Sequence, residues 1–540
     1  MISNILVSAA LALLALGLWK VGQRVVRPYL SPLRNMPGPK TSNWLYGNLL
    51  DMFNVESPAV PEWMKEYGQT FRYRSFLNTY AFFTMDNRAL NHVFTHSNDY
   101  QKPEPARYNL GRILGKGVLV VEGPQHRQQR RIMNPGFGPA QIRDLTDVFF
   151  EKAIKLRDVW TSSVIQDDAG KPKRVNVMPW LSRMTLDVIG LAGFNYEFNA
   201  LNVNETPNEL SAAFESMVTT NQAADKLALL QEMFPPFRVI PTERTKKIDR
   251  SQKTMGRIGQ QLLSDAKASV IASEGGEKVE KSSVQGRDLL SLLVRANMAT
   301  DIPESQRLSD EDVLSQVPTF LVAGHETTST STTWALYALT LAPDIQTKLR
   351  EELLTIGTDT PSMDELMALP YLDAVVRETL RVHAPVPAAL RVAMKDDVIP
   401  LEIPFKDTNG NLQHEIRVSK GDGIMIPILS INRSEAVWGA DAEEFRPERW
   451  GSVPEAASHI PGVWGHLLSF LGGPRACIGF RFSLVEMKAL LFTLIRSFEF
   501  ELAVPASSIG SIAAIVQRPY VRGEPERYQL PLLIKPYQRS

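Results

Sequence analysis

Cysteine is nearly absent from this chain. Among 540 residues there is one, Cys477, and a single thiol excludes any intrachain disulfide. A body without such cross-links is expected to fold in a reducing compartment. An excess of charge is missing too: 59 basic against 59 acidic residues leave a net charge of zero, so there is no global pull towards nucleic acid or an acidic surface. No internal repeat is visible, and neither is a glycine fingerprint for a nicotinamide or flavin cofactor. Basic residues are lacking ahead of the first apolar run, which argues against a cleaved signal peptide.

That run, ILVSAALALLALGLW from Ile5 to Trp19, is just long enough, with the residues before it, to span a bilayer. Lys20, Arg24 and Arg27 follow it, placing the positive side after the segment and the body on the cytoplasmic side. Residues 1–22 are therefore expected to be a retained transmembrane anchor. Residues 23–45, with Pro28, Pro32, Pro37 and Pro39, read as a stiff proline-rich hinge, and residues 46–540 as the body. Helical patterns dominate the body, among them Ile142–Trp160 and Ile478–Phe498, the second apolar on nearly every face and so expected to be buried all round. Strand patterns cluster at Thr70–Met85 and Leu401–Ile428, the latter with turn chemistry at Asn409-Gly410. The fold class expected is mainly α with a small β-sheet subdomain (α+β), the sheet joining early and late segments. The stretch Glu274–Gly286 reads as a surface loop between helices.

The lone cysteine sits in FLGGPRACIGF, Phe470–Phe480. Gly472, Gly473 and Pro474 predict a turn of little bulk against which a flat group could lie. Cys477 stands at the threshold of the buried helix, where backbone N–H groups favour a thiolate. Arg475 can reach a carboxylate on whatever lies there. Thiolate, flat surface and carboxylate partner describe haem iron with an axial cysteine. A cysteine nucleophile served by one of the eight histidines is the competing chemistry, but it leaves Phe470, the glycines and Arg475 without a role.

With Phe470, Gly473, Arg475, Cys477 and Gly479 in these positions, the chain resembles the cytochrome P450 family of haem-thiolate monooxygenases, with one large catalytic domain. The resemblance implies haem b as cofactor, Cys477 as its axial iron ligand, Arg475 as a propionate partner and Phe470 as a packing residue beside the sulfur. Further motifs stand in the family's order. In Leu308–Asp344, expected to be one long helix capped by Ser309, the residues Ala323, Gly324, Glu326, Thr327 and Thr328 resemble the oxygen-activation signature. Glu326 and Thr327 are then the catalytic acid–alcohol pair that handles protons. Pro318 and the Thr/Ser run are expected to bend this helix, and His325 to be an oriented core or surface histidine. Glu378 and Arg381 in DAVVRETLRVHAP, with Arg449 in FRPERW, are implied to form a structural charge network. Arg130, Arg391 and His126, the last replacing the family's usual tryptophan, are implied propionate contacts, and Pro385–Leu390 would pass along the substrate cavity.

Taken together, the resemblance implies insertion of one atom of O2 into a lipophilic small molecule, terpenoid-like by the fungal look of the sequence. Electrons would come from NADPH through a separate cytochrome P450 reductase docking near Arg127–Arg131. Gln231–Pro241, with Met233, Phe234, Phe237, Val239 and Ile240 among three prolines, reads as an apolar lid loop. The expected location is the endoplasmic reticulum membrane, single-pass. Two other readings are an oxygen-independent haem-thiolate isomerase or dehydratase, which Glu326-Thr327 argues against, and a non-enzymatic haem sensor, which would need neither that pair nor a substrate cavity.

Overall fold

A computed structural model describes residues 22, 26–41, 43–164, 171–202, 208–210, 212–213, 227, 230–231, 234–273, 288–298, 303, 307–513, 515–525 and 528–538. The apolar run Ile5–Trp19, Lys20, Arg24, Met233 and Glu274–Gly286 lie outside these. Among the described residues, no helix is long and apolar enough to cross a membrane.

The mostly helical body is organised around four helices, Pro139–Val159, Val177–Phe194, Gln316–Leu341 and Phe480–Ser497, which pack against one another. The last is buried on nearly every face, as a helix with no polar side must be. Among its polar side chains, Lys488, fully buried, donates to Asp373 at 2.8 Å. A five-stranded sheet joins the two ends of the chain. Thr70–Arg74 pairs antiparallel with Tyr80–Thr84, which pairs parallel with Gly423–Ile426; Ala389–Ala393 and Tyr100–Gln101 complete it. Phe71 and Phe83, opposite each other across the first two strands, stack at 4.6 Å, the kind of cross-strand aromatic pair that holds a register. At the hairpin tip near Asn409, Gly410 takes φ +85°, as the turn requires.

The proline-rich hinge is docked rather than free. Leu33 and Met36 are buried, Arg27 pairs with Asp422 at 3.1 Å, and Arg72 Nε donates to the Met36 carbonyl at 2.6 Å. At Gly38 a Cβ would fall 1.9 Å from the Arg72 carbonyl oxygen, so only glycine lets the hinge approach the sheet so closely.

The stretch expected to be one helix from Leu308 is two. Ser309 caps Asp310–Leu314 by accepting from the Asp312 N–H at 3.0 Å, and Gln316–Leu341 restarts after a break at Ser315. Pro318 explains the position, since its missing N–H leaves the Leu314 carbonyl without its helical donor. Beyond the break the helix is continuous through the Thr/Ser run. There the hydroxyls bond back into it: Thr327 to the Ala323 carbonyl at 2.7 Å, Ser331 to Thr327 at 2.8 Å, Thr332 to Thr328 at 3.0 Å. Gly324 faces Val177–Phe194, and a Cβ there would come within 2.9 Å of Ile189. His325 is buried and bonds through Nδ1 to the Leu321 carbonyl at 2.6 Å.

On helix Pro370–Val382, Glu378 and Arg381 are fully buried. Arg381 grips the carboxylate with Nε and Nη2, both at 2.9 Å, and Arg449 Nε donates to Glu378 Oε1 at 2.9 Å. Trp450 Nε1 at 3.0 Å and the Arg446 N–H at 2.8 Å complete its shell. Arg381 spends its remaining donors on the carbonyls of Asn432 and Glu444, while Arg449 donates to the Asp441 carbonyl and pairs with the Asp441 carboxylate at 3.2 Å. A buried carboxylate between two arginines is stable only because every donor and acceptor is used.

Two outcomes are expected. Glu378→Ala strands two buried guanidiniums and should cost about 3–5 kcal/mol, read as a lower urea midpoint of the full chain; an unchanged midpoint would show that the network contributes nothing. Burial pushes the His325 imidazole below its ordinary pKa. Above about pH 6.5 both folded and unfolded chains hold it neutral, while below that value only the unfolded chain takes up the proton. Stability is therefore present above pH 6.5 and lost as pH falls, by up to about 1.4 kcal/mol per unit for this group. His325→Leu should flatten the fall in urea midpoint between pH 7 and pH 5; an equal fall in both proteins would remove His325 from the acid response.

Candidate functional site

The cysteine loop is closed by its own backbone. The Cys477 N–H donates to the Phe470 carbonyl at 2.9 Å and the Ala476 N–H to Gly473 at 3.0 Å. Leu471 and Gly473 take φ +55° and +66° inside the turn. Gly472 and Gly473 were expected to leave room for a flat group, but neither does so. A Cβ at Gly472 would lie 1.9 Å from the Pro461 carbonyl oxygen, and one at Gly473 2.8 Å from that of Phe94. They let the loop pack against protein, and its shape follows from that packing. The Phe470 ring lies edge-on to Trp464 at 5.5 Å and tilted against Phe480 at 5.9 Å.

Cys477 is solvent-accessible yet surrounded by protein. Burial pushes its thiol above the ordinary range, while the Gly479 N–H and the Arg130 guanidinium pull it back. The helix start was expected to favour the thiolate, and desolvation outweighs it here; a coordinated metal ion reverses the balance, because it deprotonates a thiol ligand outright. A Cβ at Gly479 would lie 3.7 Å from Phe137, whose ring packs edge-on to Phe320 of Gln316–Leu341 at 5.6 Å. The cysteine loop and the Thr/Ser-rich helix thus share one wall.

Around the loop the structure gathers positive charge. Arg130, on helix Gly123–Met133, donates to the Ala476 carbonyl at 2.5 Å. Arg475 pairs with Glu122, which also accepts from Lys102 Nζ at 3.3 Å. Arg391 feels both Glu122 and Arg475, and burial lowers its pKa to about 10. Lys102 is lowered to about 8 by burial, with Arg391 and Arg475 adding to the shift. His126 is lowered to about 3 by burial and by Arg475, Lys102, Arg130 and Arg127, so it is a neutral imidazole among cations. Arg475, Arg391, Arg130 and His126 are brought together as the sequence implied. Lys102 and Glu122 were missed. Glu122 lies four residues before His126, but Lys102 carries no local signal.

Lys102, Arg391 and Arg475 crowd one carboxylate, Glu122, with Arg130 beside them at the loop, which leaves the cluster with an excess of basic groups. A group bearing two carboxylates beside a cysteine would balance it, and haem, with its two propionates, fits this donor set. Lys102, Arg391 and Arg475 are the residues that would hold those carboxylates.

Glu326 and Thr327 face away from the helix core. Thr327 bonds to its own helix, while Glu326 is paired with Arg518, 192 residues away, a partner with no local signature. The charge network of Glu378, Arg381 and Arg449 lies behind the loop and is tied to it by Ser469, whose hydroxyl donates to the Leu380 carbonyl at 2.6 Å and accepts from Asn432 at 2.8 Å.

A cavity of 790 Å³ opens between the sheet, the N-terminal segment and the strands Ile509–Ala513 and Gln517–Val521. Leu50, Phe53, Phe76, Leu390, Arg391 and Ile512 are among its walls. Cys477, Glu326 and Thr327 are not among them; the cavity shares Arg391 with the cation cluster. Of the expected lid loop, Phe237, Val239 and Ile240 are exposed. Phe234 packs edge-on to the cavity residue Phe76 at 6.4 Å.

Comparison with known proteins agrees with this arrangement. The Cytochrome P450 family profile matches residues 37–519. Cytochrome P450 monooxygenase 205 of Postia placenta is 59% identical over 537 residues, covering 99% of this chain and 98% of the relative. Cytochrome P450 monooxygenase 128 of the same fungus is 52% identical, over 98% of each. Cytochrome P450 monooxygenase claQ of Ampulloclitocybe clavipes is 35% identical, over 95% of each. The chain belongs to the cytochrome P450 family of haem-thiolate monooxygenases, with its sole cysteine, Cys477, as the thiolate that binds the iron.

Proposed function

We propose that this monooxygenase oxidises a lipophilic, terpenoid-like small molecule that enters through the 790 Å³ cavity. The observation that carries this reading is the character of that cavity and its rim. Leu50, Phe53, Ile512 and Leu390 give it apolar walls, and Leu50, Phe53, Phe237, Val239 and Ile240 extend the apolar surface outwards. Such a surface suits a ligand that partitions from a bilayer. With residues 1–22 as an anchor, the body would stand on the cytoplasmic side of the endoplasmic reticulum membrane.

When bound, the haem supplies O2 activation and transfer of one oxygen atom to the substrate. The protein's part is to hold, orient and move protons. Cys477 donates electron density through its sulfur, steadied by the Gly479 N–H. Lys102, Arg391 and Arg475 would hold the two carboxylates of the cofactor, while Arg130 braces the loop through the Ala476 carbonyl. Glu326 and Thr327 pass protons towards the reacting oxygen. Electrons come from NADPH by way of a separate flavoprotein reductase, since the chain lacks a nicotinamide or flavin fingerprint of its own. Arg127 and Arg131, exposed on helix Gly123–Met133, offer that partner an accessible basic patch.

Cys477→Ala should abolish both the carbon monoxide difference band of a thiolate-ligated haem and product formation; a retained band would remove Cys477 as the ligand. In binding difference spectra with the wild-type protein, terpenoids should bind more tightly than fatty acids or polycyclic aromatics, and the reverse order would overturn the substrate class. Arg127→Glu/Arg131→Glu should raise the reductase concentration needed for half-maximal turnover roughly tenfold at low salt, with the gap narrowing as salt rises. Unchanged reductase dependence would place the docking surface elsewhere.

A further inference from the structure

Glu326 differs from the hydroxyl residues around it. Thr327, Ser331, Thr332 and Thr333 all donate back into their own helix, while Glu326 is engaged by Arg518 from the hairpin formed by Ile509–Ala513 and Gln517–Val521. That hairpin is also part of the cavity wall: Ser511, Ile512, Ala513 and Tyr520 line it. Ile512 is the cross-strand partner of Arg518, and directly opposed residues in an antiparallel pair project from the same face. The side chain that meets a ligand and the side chain that holds the acid therefore share one rung.

The rung lies between two fixed points. On one side, the Gln517 N–H donates to the Pro385 carbonyl at 2.8 Å, and its own carbonyl accepts from Trp334 Nε1 of the Thr/Ser-rich helix at 2.9 Å. On the other, Glu56 accepts from the Ser511 N–H at 2.8 Å and from Arg522 at 2.7 Å. Both ends are tied to elements outside the hairpin. What remains to respond to a ligand against Ile512 is the rung itself and the Arg518 guanidinium, which also lies over the Tyr528 ring at 5.0 Å.

We propose that Arg518 is a positioning residue for Glu326, and that filling the cavity against Ile512 loosens this pairing, so that the acid is freed for proton handling only when a ligand is present. A carboxylate held by a guanidinium has its orientation and its lone pairs committed, so in the paired state Glu326 is withheld from Thr327's neighbourhood. The inference rests on the proton-handling role proposed above for Glu326, and it adds a control: cavity occupancy is coupled to that role through one cross-strand pair.

The test uses the full-length haem-loaded protein. The carbon monoxide difference band checks the proposed function separately, because its absence in the wild type would remove the haem-thiolate reading whatever Arg518 does. With the band present, Arg518→Leu should raise NADPH consumption in the absence of any substrate by roughly fivefold, at the low end of site-to-site couplings, while Arg518→Lys, which keeps the cation, should stay near wild type. Arg518→Gln serves if Arg518→Leu fails to fold. A second readout is independent of turnover: the urea-midpoint shifts of Arg518→Leu, Glu326→Gln and the double variant, with and without clotrimazole, an apolar imidazole whose binding is followed by its own spectral shift. The single shifts should be non-additive in the ligand-free protein and additive in the ligand-bound one. An unchanged substrate-free rate in Arg518→Leu, or the same degree of additivity with and without clotrimazole, overturns the latch.

Discussion

The hydrogen bond from the Cys477 N–H to the Phe470 carbonyl, 2.9 Å long, closes the loop on which the rest of the site depends. A thiolate ligand must present its sulfur at one position and angle, and a loop on the surface would not do so unaided. Rigidity comes from packing on all sides. Gly472 and Gly473 press against Pro461 and Phe94, where any Cβ would clash. Phe470 is wedged between Trp464 and Phe480, and Ser469 ties the loop's start to the carbonyl of Leu380. The buried helix Phe480–Ser497 then carries this fixed geometry into the core.

Two charge clusters flank the loop, and their difference separates structure from function. Around Glu378 the charges balance within the protein: two guanidiniums meet the carboxylates of Glu378 and Asp441, an indole N–H and a backbone N–H complete the shell of Glu378, and other donors go to carbonyls. Such a network fixes how the segment around Asp441 and Arg449 sits against helix Pro370–Val382. Around Glu122 the protein leaves positive charge in excess, and burial drives Lys102, Arg391 and His126 towards their neutral forms. A protein that only had to fold would gain by removing one of those cations. Retaining them makes sense where an anionic group completes the site, as the propionates of haem do.

What could be read from the sequence was what depends on neighbours along the chain. The cysteine loop, the Glu378–Arg381 spacing and the Ala323–Thr328 signature are local patterns, and the loop, the buried pair and the helix stand where those patterns put them. The strand patches at Thr70–Met85 and Leu401–Ile428 became strands for the same reason. The misreadings share a cause as well. The glycines of the loop seemed to make space for a ligand because nothing local shows Phe94 and Pro461 closing in. That the hinge docks on the body was not legible, because its contacts with Asp422 and Arg72 are hundreds and tens of residues away. Lys102 and Arg518 were invisible because each meets its partner only in three dimensions. Even the helix break at Ser315 shows the limit: Pro318 was identified as a disruptor, but its effect falls on the carbonyl four residues earlier.

The same division bears on how the site is controlled. Residues that form the iron-binding loop are consecutive in sequence and locked by short-range packing, which suits a geometry that must not change during turnover. The residues proposed to meet the substrate and handle protons come from segments far apart: Leu50 and Phe53 near the start, Glu326 in the middle, Ile512 and Arg518 near the end. Their relative positions rest on contacts between distant segments, among them the Arg518–Glu326 ion pair and the anchors of one hairpin. A ligand loop fixed by its own neighbours and a wall assembled from distant segments can differ independently in sequence, because the wall's residues can vary while the Cys477 loop stays as it is.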